Sequence, residues 1–77
     1  MTQEQLMQLR ASEKKKVQIT CSDGELIQAE VLHVDDENRD VVCELLSTTT
    51  PEKYKQGKGI CIAVNWDAIT DLQDISN

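Results

Sequence analysis

An Asp-Gly pair at positions 23 and 24 separates two alternating apolar runs, and this feature restricts the fold more than any other. Val17, Ile19 and Cys21 lead into the pair, and Ile27, Ala29 and Val31 lead out of it. Apolar residues at a period of two, interrupted by Asp-Gly, are the strongest short-range signature of a β-hairpin. The pair therefore fixes a β fold class and a strand register.

The rest of the chain extends that pattern. Residues 17–22 and 25–35 read as the first two strands. The second changes phase, since Ile27, Ala29 and Val31 share one face while Leu32 and Val34 fall on the other. A bulge near Val31-Leu32 would bring both sets inward, as small barrels do at their corners. Residues 35–40 form a polar turn, and the run 41–47 is apolar at almost every position, as in a strand covered on both faces. Residues 48–59 are the longest loop, with the only proline and two of the three glycines. A fourth strand is expected at 60–64, then a tight turn at 65–67 with one 3₁₀ turn, and a fifth strand at about 68–72. Ile69, Leu72 and Ile75 recur every three residues, so a C-terminal helix competes with that strand. At the other end, Thr2 with Gln5 fits a capping box and Glu4 suits the first turn of a helix over 2–11. Leu6, Met7 and Leu9 give it a narrow apolar stripe, which needs a surface to dock on because so short a helix is marginal alone.

The expected architecture is mainly β: one domain over 1–77, with a helix at about 2–11 and a small five-stranded, strongly bent SH3-like barrel at about 16–73. At 77 residues such a chain buries a thin core and commonly needs support. Cys21, Cys43 and Cys61 are odd in number and sit in strand-like runs, and His33 is the only histidine. No spacing fits a metal site, so no cofactor is expected and the thiols read as reduced core residues. Reduced cysteines, and no leader-like start, place the expectation in the cytoplasm. No apolar stretch approaches the roughly 20 residues that span a bilayer. Association between copies is the remaining support. The net charge of −6 argues against a dedicated nucleic-acid binder, which carries a basic footprint.

This order of elements resembles the Sm-like family. Val17–Gly24, continuing through Ala29–Asp35, is similar to the first Sm motif, and Gly59–Ile69 is similar to the second. The resemblance implies a ring of identical subunits, closed by pairing strand four of one with strand five of the next. It also implies binding of single-stranded RNA. The chain differs from the family at Asn65-Trp66, where an Arg-Gly pair is usual, and Asp36 and Glu37 precede Asn38 in the turn after Asp35.

Candidate RNA contacts are few. Trp66 beside strand four could stack a base or plug the end of the barrel. Asn65 is its neighbour. Lys53, Tyr54 and Lys55 form a basic loop with one aromatic, of a kind that holds single-stranded RNA and also of a kind that merely solubilises. Asp35, Asp36, Glu37 and Asp40 read as a solvated turn. No nucleophile–base pair, glycine-rich phosphate loop or acid/base motif is present, so an enzyme is not expected. Two readings stay open: an RNA-binding Sm-like oligomer, and a scaffold barrel that contacts an unidentified protein and no nucleic acid.

Overall fold

The computed structural model describes residues 2–54 and 59–75. Helix α1 is Gln3–Ala11, followed by β1 Lys16–Cys21, β2 Leu26–Asp35, β3 Asp40–Thr48, β4 Cys61–Asn65 and β5 Ile69–Asp74, with 3₁₀ turns at Pro51–Lys53 and Trp66–Ala68. The expected five strands and N-terminal helix are all present, and 69–74 is strand rather than helix.

Helix α1 starts where the capping box places it. Thr2 Oγ1 accepts from Gln5 N at 3.1 Å, and Gln5 Oε1 accepts from Thr2 N at 2.9 Å. Leu9 is fully buried and Leu6 partly so, whereas Met7 is 68% exposed and falls outside the buried stripe.

The β1–β2 turn is the three-residue form. Cys21 N donates to Glu25 O at 2.8 Å and Gly24 N to Cys21 O at 2.9 Å. Gly24 stands at φ +93°, the left-handed position this loop requires. Asp23 Oδ1 accepts from Glu25 N at 2.9 Å and braces the corner.

The strands form one open antiparallel sheet in the order β4-β3-β2-β1-β5. Its register shifts twice along β2–β3, between Gln28 and Ala29 and between Val31 and His33. The second shift is the expected bulge, with a different outcome for its residues. Val34 turns inward, while Leu32 stays 37% exposed because it is the extra residue the bulge leaves over. The apolar strand β3 buries Val41, Cys43 and Leu45 on one face and only half-buries Val42 and Leu46 on the other. Full cover on both faces, expected from composition, is therefore corrected to cover on one.

The ends of the strand order, β4 and β5, are joined by Trp66–Ala68 alone. Four inter-strand gaps in a flat sheet would separate them by about 19 Å. A 3₁₀ turn of this length advances only about 8 Å. The sheet must therefore curl until its two ends approach each other at the 65–69 corner. Val17, Ile19, Ile27, Ala29, Val31 and Leu9 fill the hollow side of that curl, all at 1% exposure or less.

The two sheet ends differ. Ile75 N donates to Lys16 O at 3.0 Å, so alternation turns the Leu72 backbone away from β1. Gln8 Nε2 donates to that outward Leu72 carbonyl at 2.9 Å, and Gln5 Nε2 to Thr70 O at 3.4 Å. Helix α1 thus covers the β5 edge. On β4, Leu45 N donates to Ile60 O and Trp66 N to Arg39 O, both at 2.8 Å. Even-numbered residues therefore face β3, and the N–H and C=O groups of Cys61, Ala63 and Asn65 point outward. Among the described residues, β4 pairs with β3 alone.

Candidate functional site

The loop after β3 folds back on the β1–β2 turn. Its backbone is tied to β2 where Thr49 N donates to Leu26 O and Leu26 N to Thr49 Oγ1, both at 3.1 Å. The 3₁₀ turn at Pro51–Lys53 then delivers Lys53 and Tyr54 to a carboxylate. Glu25 is only 4% exposed and accepts from Thr48 Oγ1 at 2.5 Å, Tyr54 Oη at 2.9 Å and Lys53 Nζ at 3.0 Å. Lys53 Nζ also reaches Asp23 Oδ2 at 2.8 Å. A buried charge persists only when it is paired and hydrogen-bonded, and Glu25 is both.

The electrostatics follow. Burial pushes the Glu25 carboxyl up, and the hydrogen bonds from Thr48, Lys53, Thr50 and Tyr54 outweigh it, leaving it below its ordinary value. The Lys53 ammonium holds Asp23 low as well. Burial, together with the bond to Glu25, raises the Tyr54 phenol to about 12.

Of the five candidate residues, three converge. Lys53, Tyr54 and Asn65 line one groove of about 250 Å³, together with Cys21, Asp23 and Glu25. Asn65 is spent locally: its Oδ1 accepts from Asp67 N at 2.9 Å, capping the 3₁₀ turn, and its Nδ2 donates to Asp40 Oδ1 at 3.3 Å. Trp66 lies elsewhere, 7% exposed, beside a hollow lined by Thr2, Gln3, Leu6 and Arg39. Its position matches a plug at the end of the curl. The Arg39 guanidinium sits 5.9 Å from the indole centroid and pairs with Asp67 at 2.9 Å. Trp66 Nε1 is buried with no hydrogen-bond partner among the described residues. Lys55 lies outside the described residues.

Glu25 is the residue that sequence reasoning missed. Its signal was present as a carboxylate placed directly after a turn glycine, at the start of an apolar strand. The acidic turn resolves into structure too. Asp35 Oδ1 accepts from Glu37 N and Asn38 N, both at 3.1 Å, and Asp36 pairs with Arg10 at 2.7 Å.

Cys21, Asp23 and Glu25 bring a thiol and two carboxylates within 4.8 Å of one another, a set with metal-binding donors. Lys53 already supplies the positive charge there, and burial raises the Cys21 thiol and keeps it protonated. Cys43 is buried as expected, and burial takes its thiol to about 12. Cys61 is exposed on the outer face of β4, a correction to its expected place in the core. Among the described residues no helix is long and apolar enough to cross a membrane.

Compared with protein-family models, curated proteins and solved structures, the chain matches none.

Proposed function

We propose that this chain is a non-enzymatic, Sm-like assembly module that pairs an exposed sheet edge with another copy of itself. The observation that carries the reading is β4, a strand of sequence Cys-Ile-Ala-Val-Asn with outward backbone groups and neither charge nor proline. Proteins that stay single blunt such an edge with lysine, proline, a bulge or a covering element. The curl imposed by the short β4–β5 link supports the bent-barrel reading, and a second strand on β4 adds the burial that 77 residues lack. Thiols held protonated by burial at Cys21 and Cys43 give no activated nucleophile. Three free cysteines suit a reducing compartment such as the cytoplasm.

A second reading, binding of single-stranded RNA, is favoured by the shared groove of Lys53, Tyr54 and Asn65. Phosphate would have to displace two carboxylates from Lys53, and the protein-interaction reading has no such cost. Light scattering coupled to size exclusion, with and without a short U-rich or A-rich RNA, separates the two. A discrete multimer unaffected by RNA is the expected result. A multimer that takes up RNA with steep salt dependence supports the second reading, and a single-chain mass at all concentrations overturns both.

A further inference from the structure

We infer that β4 pairs with β4 of a second copy, antiparallel, about a two-fold axis at Ala63. The inference rests on the self-assembly reading above and specifies which edges meet. The outward groups of Cys61, Ala63 and Asn65 are spaced symmetrically around Ala63. Antiparallel self-pairing sets Ala63 opposite Ala63 and Cys61 opposite Asn65. Each facing pair then exchanges both N–H···O=C bonds, which leaves no outward group of β4 unmade. An isologous contact of this kind needs one self-complementary patch and closes at two copies.

Three observations favour this over pairing of β4 with β5. The outward carbonyls of β5 at Leu72 and Thr70 already accept from Gln8 and Gln5 of α1. An incoming strand would have to lift the helix, which is anchored by the fully buried Leu9. Beyond that, β5 carries Asp71 and Asp74 among exposed residues, whereas the outer face of β4 is uncharged and small at its centre. Two alanines across the axis leave the backbones free to approach.

Cysteine cross-linking on the full chain tests the arrangement. Facing Cα atoms in such a pair lie about 5.5 Å apart, inside the disulfide range. Cys61 and its own copy would be offset by about 14 Å along the strands and should not link. The C61S/A63C variant, oxidised mildly and mixed with C61S/T70C, should give 63–63 dimers that stop at two chains. Mixed 63–70 bonds with a ladder of higher products would overturn the β4–β4 pairing and leave self-assembly standing. A multimer by light scattering with no cross-link would do the same. A single-chain mass with no cross-link would remove self-assembly itself.

A second variant guards against a folding artefact. Ala63→Glu changes an exposed side chain whose backbone N–H faces away from β3, and circular dichroism with urea unfolding checks that the fold is kept beside the Asp23–Glu25–Lys53 cluster on the same groove. Two carboxylates facing each other across the axis should weaken association at least tenfold. A variant that keeps the wild-type mass and affinity would overturn the placement of the axis.

Discussion

Lys53 Nζ lies 3.0 Å from Oε1 of Glu25 and 2.8 Å from Oδ2 of Asp23, so one loop lysine clips the long loop onto the first hairpin. Glu25 is the buried member, and Tyr54 and Thr48 complete its shell. The longest loop is thereby held to the sheet at a point where one buried carboxylate meets a half-exposed lysine and a half-exposed aspartate.

Removing that carboxylate leaves the Tyr54 and Thr48 hydroxyls without their acceptor. Glu25→Ala should cost about 1–3 kcal/mol in urea unfolding, and Glu25→Gln less, because the amide oxygen still accepts. A midpoint unchanged in both variants would show that the loop is not held by this carboxylate.

The pH dependence has a defined sign. Both Asp23 and Glu25 lie below their ordinary values of 3.8 and 4.5 in the folded chain. Their contribution is present above those values and lost as pH falls through the lowered ones. Acid titration of the urea midpoint from neutrality down to about pH 3 should therefore destabilise the wild type more than Glu25→Gln. Parallel curves would contradict the clip.

Tyr54 is the only tyrosine, which makes its phenolate absorbance an unambiguous probe. The folded chain should titrate near 12, and the unfolded chain near the ordinary 10.0. The neutral phenol donates to Glu25, so its contribution holds below the unfolded value and is lost as pH rises through the folded one. Glu25→Gln should move the folded midpoint downward. A folded midpoint already at the ordinary value would place Tyr54 outside the network.

Trp66 gives a contrast between two substitutions. Trp66→Ala should cost about 3–5 kcal/mol, as large cavities do. Trp66→Phe should cost much less, because the lost Nε1–H has no partner among the described residues and its burial was itself unfavourable. Indole fluorescence in the wild type should resist a soluble quencher. Ready quenching would contradict a plug and favour an exposed stacking surface.

Gly24→Ala isolates backbone conformation from packing. Gly24 sits at φ +93° and an added Cβ would meet nothing within 4 Å. The expected loss is about 1–2 kcal/mol from the left-handed backbone alone. A neutral result would mean that the turn relaxes to another form.

Local features were legible in the sequence, and long-range ones were not. The Asp23-Gly24 turn, the Thr2–Gln5 capping box and the bulge after Val31 each arise from residues within a few positions of one another. Alternation alone could not say that Leu32 would be the residue left outside. Nor could it show Glu25, whose partners Lys53 and Tyr54 lie 28 and 29 residues away on a loop that must first fold back. Lys53, Tyr54 and Asn65 share a groove because the long loop folds back beside the end of β4. Trp66 was separated from them by the turn of the backbone at Asn65, which sends its indole into the core. Likewise, nothing local marks Gln5 or Gln8 as residues that cover a sheet edge, and only tertiary packing brings them to β5 carbonyls more than 60 residues on.

Joining of two copies at the β4 edge, unpaired on its outer side among the described residues, is the centre of this account. Its most direct test is mass against concentration by light scattering, for the wild type and for Ala63→Glu. The wild type should approach a two-chain mass as concentration rises, with the variant's rise displaced to at least tenfold higher concentration and the variant equally folded. A wild type that stays at a single-chain mass across the whole range would contradict the account.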